Sequence, residues 1–250
     1  MNTHLLIGSG PRKAIALHGW FGHGGGWGPM ADVLDTHGFT YAFMDCRGYG
    51  GMKGGGGPYT MEQVAQDALA LADGLSWERF SLIGHSMCGT AAQRVLVQAP
   101  QRVERMVAIA PVPASGFPHN DAMLALFRRA AGDTAVRKRI IDMTTGLRLC
   151  DAWLEQMVAS SFANSDEEAV GSYLPSWAET DFHAKIQGNP VPIKVIAGEH
   201  NPALGVPVMQ ETFMRWYPNA VLEEMANAGH YPMHETPIAL ATSIEAFLRG

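Results

Sequence analysis

The sequence is poor in cysteine and has no cluster of positive charge. Its three cysteines, Cys46, Cys88 and Cys150, form neither a C-x-x-C pair nor a Cys/His cluster, so the sequence suggests neither a disulfide framework nor a zinc site. Lys and Arg number 18 against 24 Asp and Glu, a formal net charge of −6. Without a basic patch we expect no nucleic-acid partner and no membrane partner. Without a Cys/His cluster we expect no bound metal.

Long apolar segments are also missing. No stretch approaches the ~20 apolar residues that a membrane helix needs, and residues 1–8 have neither the basic nor the apolar region of a signal peptide. We therefore expect a cytoplasmic protein. A chain of 250 residues that is 47% hydrophobic and 17% charged can bury one substantial core, which predicts a single domain over residues 1–250.

Apolar runs bounded by turn residues alternate with helical patterns along most of the chain. The runs are mostly continuous, which is typical of parallel strands covered on both faces. Strands are predicted at 14–17, 40–44, 80–83, 105–110, 193–197 and 221–225. Helices are predicted at about 28–36, 60–75, 87–98, 206–216 and 237–248. The alternation predicts an α/β fold with a mostly parallel central sheet flanked by helices.

This alternation breaks at about residues 112–188, where helical patterns follow one another without a strand. We predict a helical cap here, inserted into a core of residues 1–111 and 189–250. Its aromatic residues and methionines either line an apolar pocket or pack the cap onto the core. The candidate pocket residues are Trp20, Trp153, Met157 and Trp177.

The segment from Arg79 to Gly89 carries the clearest chemical signal. An apolar run leads into Gly84-His85-Ser86-Met87-Cys88-Gly89, and a helical pattern follows. This fits G-x-S-x-G, in which the glycines relieve backbone crowding on both sides of a serine at the apex of a strand-to-helix turn. Ser86 is the candidate nucleophile.

Four further motifs accompany this one in a fixed order. They are Ala14-Ile15-Ala16-Leu17-His18-Gly19-Trp20, Met44-Asp45-Cys46-Arg47-Gly48-Tyr49-Gly50, Gly198-Glu199-His200-Asn201-Pro202 and Asn227-Ala228-Gly229-His230-Tyr231-Pro232. With them the chain resembles, over nearly its whole length, an α/β-hydrolase of the small esterase, lactonase and cofactor-free haloperoxidase kind.

The resemblance implies a serine hydrolase that cleaves a small carboxylic ester, thioester or lactone through an acyl-enzyme intermediate, without a cofactor. It implies a small-molecule substrate and a monomer or homodimer. Two other classes stay open: a cofactor-free oxygenase, which oxygen consumption would reveal, and a degenerate ligand-binding relative.

A serine nucleophile needs a base, and His230 is the candidate because it follows the last predicted strand, in the chain order that this fold requires. His234 is the alternative base. His85, next to the serine in sequence, is expected to point away and to support the turn.

A tetrahedral intermediate also needs N–H donors for its oxyanion. The backbone N–H of Met87 is one candidate, and that of Trp20, after the early strand, is the other. The segment His23-Gly24-Gly25-Gly26 looks like a lipase oxyanion motif, but it lies several residues beyond the predicted strand end.

The third triad position departs from the family pattern. Asn201 stands where the family usually has aspartate, and Cys88 where it usually has glycine. An asparagine carbonyl can accept from the imidazole but offers no negative charge to an imidazolium. Glu199 and Asp121 are the alternative acids, and Cys88 is interpreted as a small buried helix residue.

Overall fold

The computed structural model describes all 250 residues and contains one sheet of seven strands. The strands are β1 (His4–Ile7), β2 (Arg12–Leu17), β3 (Phe39–Met44), β4 (Phe80–His85), β5 (Val103–Ile109), β6 (Ile193–Gly198) and β7 (Ala220–Met225). Their order in the sheet is β1-β3-β2-β4-β5-β6-β7. Only β1 is antiparallel to its neighbour, so the other six strands end at one edge of the sheet.

Ten α-helices connect and cover the strands. They are α1 (Met61–Gly74), α2 (Met87–Gln98), α3 (Asp121–Arg129), α4 (Thr134–Thr144), α5 (Asp151–Ala163), α6 (Glu167–Ala178), α7 (Val206–Glu211), α8 (Phe213–Trp216), α9 (Pro232–Glu235) and α10 (Pro237–Arg249). Every residue of β3 and β4 is buried, as expected of strands with helices on both faces.

Helices α3 to α6 form the predicted helical insertion between β5 and β6, and no strand interrupts them. The insertion contacts the loops at the carboxyl edge of the sheet. The indole Nε1–H of Trp20 donates to the backbone carbonyl of Val170 in α6 at 2.9 Å. The ring of Trp20 also meets that of Trp177, with centroids 5.1 Å apart.

Three secondary-structure details differ from the sequence-based expectation. Strand β1 was not predicted, because this short edge strand leaves Leu5 and Leu6 exposed and lacks the continuous apolar run of the inner strands. The predicted helix at 28–36 is a 3₁₀-helix over Gly28–Val33 with proline at its start. The predicted helix at 206–216 breaks at Thr212 into α7 and α8.

None of the helices of this chain has the combination of length and apolar character needed to cross a membrane.

Candidate active site

The turn between β4 and α2 places Ser86 in a strained conformation. Its φ of 53° and ψ of −118° are unusual for a residue with a side chain. Both flanking glycines are required by close contact: a Cβ on Gly84 would lie 2.8 Å from the carbonyl oxygen of Cys88, and a Cβ on Gly89 would lie 2.5 Å from Cβ of Pro111. The segment therefore forms a nucleophile elbow.

His230 reaches this serine from the loop after β7. Its Nε2 lies 2.8 Å from Oγ of Ser86, and both residues are buried. His85 points away from the serine and holds the loop that carries His230, because its Nε2–H donates to the backbone carbonyl of His230 at 2.8 Å. The elbow and the histidine loop are thus joined by two hydrogen bonds.

Asn201 contacts the other side of the imidazole from the loop after β6. Its Nδ2 lies 3.0 Å from Nδ1 of His230, while its Oδ1 accepts from the backbone N–H groups of Ala203 at 3.3 Å and Leu204 at 3.1 Å. These two N–H groups fix which end of the carboxamide carries oxygen, since a turned amide would place its NH₂ against two donors.

This orientation determines where the proton on His230 sits. An amide NH₂ only donates, so Nδ1 of His230 accepts, and the proton of the neutral ring is on Nε2. Nε2–H then donates to Ser86. The expectation that the Asn201 carbonyl accepts from the imidazole is wrong, because the backbone of its own loop already occupies that oxygen.

Neither alternative acid contacts the imidazole. Glu199 accepts from the backbone N–H of Asn227 at 2.8 Å and lies 3.7 Å from the ring nitrogen of His200. Asp121 is exposed in the first turn of α3 and has no side-chain hydrogen bond. Asn201 is the one side chain that hydrogen-bonds Nδ1 of His230.

The two candidate oxyanion donors lie on well-anchored backbone. Met87 begins α2, where helical N–H groups have no intrahelical acceptor. The N–H of Trp20 has no acceptor within the protein. Its carbonyl, in the next peptide group, accepts from the hydroxyl of Tyr49 at 2.9 Å, and its indole donates to α6. Trp20 is therefore held on both sides of its Cα.

Burial keeps both histidines of the site neutral. It lowers the pKa of His230 well below its ordinary value, and the neighbouring His85 lowers it further. Burial also lowers the pKa of His85 to about 4. No carboxylate opposes this effect at His230, so the site holds an uncharged Ser–His–Asn set at neutral pH.

Ser86, His230 and Asn201 line an inner cavity of only about 40 Å³. Of the four predicted pocket residues, Trp20 and Trp177 line it. Ten further lining residues are not among the predicted pocket or triad residues, although Ile140 follows Val136 at the helical spacing of a buried face. They are Phe21, His85, Val112, Phe117, Phe127, Ile140, Thr144, Ala203, Leu204 and Tyr231.

Trp153 and Met157 line a separate cavity of about 180 Å³. His23 and His234 line it too, so neither the lipase-like motif nor the alternative base is placed at Ser86. The cavities share the walls Phe21, His85 and Tyr231. No three His, Cys, Asp or Glu side chains of the chain are grouped as metal ligands.

Cys88 lies behind the elbow. It is fully buried, and its Sγ lies 3.7 Å from Sγ of Cys46. Neither thiol lines the inner cavity. Cys88 is thus a packing residue between the first turn of α2 and the end of β3, as its position in the sequence led us to expect.

Comparison with known proteins gives a consistent family assignment. Residues 15–237 match the model of the alpha/beta hydrolase fold family. A pimeloyl-[acyl-carrier protein] methyl ester esterase of Serratia marcescens is 26% identical over 97% of this chain and 96% of its own length. A 3-oxoadipate enol-lactonase of Acinetobacter baylyi is 25% identical over 82% of this chain and 77% of its own length.

Solved structures give the same fold at lower identity. A hydrolase from Oleispira antarctica has a TM-score of 0.88 and 17% identity, and covers 100% of this chain and 95% of its own. A bromoperoxidase from Bacillus anthracis has a TM-score of 0.86 and 17% identity, and covers 99% of this chain and 95% of its own.

Proposed function

The chain belongs to the alpha/beta hydrolase fold family, and we propose that it is a carboxylic ester hydrolase with Ser86 as nucleophile and His230 as base. The substrate we propose is a small ester, thioester or lactone. The names of two relatives, a methyl ester esterase and an enol-lactonase, refer to an ester and a lactone substrate. One observation carries the proposal: the 2.8 Å hydrogen bond between Oγ of Ser86 and Nε2 of His230, on a strained elbow.

In the proposed reaction Oγ of Ser86 attacks the acyl carbon as its proton passes to Nε2 of His230. The backbone N–H groups of Trp20 and Met87 donate to the oxyanion that forms. Collapse of the intermediate breaks the bond to the leaving oxygen or sulfur, which takes the proton from Nε2. Water then attacks the acyl-enzyme by the same route and releases the acid.

Asn201 makes the first proton transfer difficult. Nε2 of His230 must be free of its proton to act as base, yet the carboxamide stabilises the ring with the proton on Nε2. Moving that proton to Nδ1 places it against the NH₂ of Asn201. In a serine protease the same Asp-to-Asn exchange leaves the geometry intact and lowers kcat by about 10⁴ because of the wrong tautomer. We therefore propose a slow hydrolase.

A fluorophosphonate probe tests the nucleophile directly. We expect it to label the peptide that contains Ser86 in the wild-type protein, to label the Asn201→Asp variant faster, and to leave Ser86→Ala unlabelled. Labelling that survives in Ser86→Ala, or its absence from both other proteins, would contradict the proposal. Digestion and mass spectrometry locate the adduct.

The Nε2–H tautomer also favours a second candidate function, a ligand-binding relative that does not turn over. In that case Asn201→Asp would leave ester hydrolysis at the background rate although the ligand still binds. A rate increase in this variant supports the hydrolase instead, because only a working Ser–His pair benefits from the carboxylate.

A further inference from the structure

A third and larger cavity also adjoins the inner cavity. It measures about 420 Å³, and we call it the outer chamber. Five residues line both spaces: Phe117, Phe127, Ile140, Thr144 and Ala203. The remaining lining residues of the outer chamber are Pro118, Met123, Met143, Pro202 and Val208.

The two volumes suit substituents of different size. A buried apolar cavity of about 150 Å³ can hold benzene, so the inner cavity of about 40 Å³ has room only for the reacting carbonyl and one small group. The outer chamber lies within the range of pockets for whole small molecules, about 300–1,000 Å³. A substrate that fills both is asymmetric, with one short and one extended substituent.

Charge is absent from both linings. Neither contains Lys, Arg, Asp or Glu, and burial keeps His85 and His230 of the inner cavity neutral. An ionised group placed against the buried side chains of Phe117, Phe127 and Ile140 would lose hydration without gaining a partner, which is costly. The lining thus selects against a substrate with a carboxylate on its extended arm.

On the basis of the proposed hydrolase, we infer that the outer chamber binds the uncharged apolar arm of an asymmetric ester whose other substituent is small. Each methylene transferred from water to such a lining contributes about three- to fourfold to binding. An arm of five or six carbons should therefore raise kcat/KM by roughly 10–10² over a two-carbon arm, mainly through KM.

Two matched pairs of esters test the inference in the wild-type protein. The first pair is methyl hexanoate and methyl hydrogen adipate, and the second is hexyl acetate and 6-acetoxyhexanoate. Within each pair a carboxylate replaces the terminal methyl group. We expect kcat/KM to favour the uncharged ester by at least about tenfold in at least one pair. The slow proton transfer to His230 affects both esters of a pair equally, so it does not change this ratio.

The results that would overturn the inference are a ratio below about tenfold in both pairs, or ethyl acetate cleaved as fast as the longer neutral esters. Calorimetric titration of Ser86→Ala with methyl hexanoate and methyl hydrogen adipate repeats the comparison without turnover. Failure of the proposed function is distinguishable: no ester is cleaved, even by Asn201→Asp, while the neutral ester still binds.

A charge placed in the outer chamber gives a second readout. Met143 lines the outer chamber and not the inner cavity. Met143→Arg should lower the ratio of neutral to carboxylate ester by about tenfold or more, because the guanidinium supplies a partner for the carboxylate. The control is Ile238→Arg, at a residue that is 68% exposed on α10. An unchanged ratio in Met143→Arg would count against the inference.

Discussion

The loops after β4 and β6 begin at the same edge of the sheet, but they differ in how closely their residues match the pattern of a serine hydrolase. The β4 loop has the strained Ser86, its two glycines and its hydrogen bond to His230. The β6 loop places Asn201 at the usual position of the triad acid, 3.0 Å from His230. Asn201 carries no negative charge, and it donates to Nδ1 where an aspartate would accept. Strand topology fixes where a group lies, whereas side-chain chemistry decides where the proton lies.

Replacing Ser86, the proposed nucleophile, should give the largest loss of activity. An intact triad loses about 10⁶ in kcat without its serine. In the wild-type chain the wrong tautomer of His230 already lowers the rate, so less activity remains to be lost. Ser86→Ala should therefore lower kcat/KM for 4-nitrophenyl acetate by roughly 10² in the wild type and by more in the Asn201→Asp background. Residual activity above a few per cent in the latter background would contradict covalent catalysis. Circular dichroism checks the fold.

His230→Ala should cost nearly as much as Ser86→Ala, because the two side chains act as one unit. The double variant should lose little more than either single variant, since such effects are not additive. The same ester, assayed with the wild type, the two single variants and the double variant, gives the full double-mutant cycle. If the two losses multiply, Ser86 and His230 act independently, and the 2.8 Å contact has no catalytic meaning.

Asn201→Asp should erase the difference between the two loops. One carboxylate oxygen can take the N–H groups of Ala203 and Leu204, which leaves the other for Nδ1–H of His230. We expect kcat to rise roughly 10–10³-fold with little change in KM. Asn219→Asp is the matched control, because Asn219 precedes β7 at the opposite edge of the sheet. A flat rate in Asn201→Asp would show that the tautomer does not limit turnover.

The pH profile of kcat/KM should move in a defined direction. In the proposed reaction the neutral imidazole is the base, and burial lowers the pKa of His230 well below its ordinary value. Wild-type activity should therefore persist as the pH falls below 6.5. A carboxylate at position 201 favours the imidazolium, so the acid limb of Asn201→Asp should lie higher by about one to three pH units. Coincident limbs would contradict this account.

Glu199→Gln should have the smallest effect. Glu199 accepts from the N–H of Asn227 at the protein surface, and a glutamine oxygen can accept the same bond. We expect kcat/KM to change less than about twofold and stability by about 0.5 kcal/mol or less. A large loss of activity would make Glu199 the functional acid in place of Asn201.

The elbow and the order of the motifs were predictable because they follow from short local patterns. Gly84, Ser86 and Gly89 specify the turn, and a parallel sheet brings the loops after β4, β6 and β7 to one edge. The orientation of the Asn201 amide was harder to predict, because it depends on two backbone N–H groups. A signal existed: asparagine side chains often accept from the backbone two residues on.

Pocket shape was the least predictable property. Trp153 and Trp177 are similar aromatic residues in the same insertion, yet they line different cavities. Which cavity a side chain faces depends on how α5 and α6 pack over the sheet edge. Helical periodicity in one sequence identifies a buried face but not the partner surface that buries it.

The attachment of Trp20 to α6 has a consequence for the route of substrate entry. Its indole hydrogen bond to Val170 joins the proposed oxyanion donor to the insertion. A motion that lifts α6 to admit a ligand would pull on the residue that must stabilise the intermediate. Opening the site by moving α6 would therefore disturb the proposed oxyanion donor. We expect substrate to enter between α3 and α4 while α6 keeps its contact with Trp20. Cross-linking α6 to the sheet should then leave turnover intact.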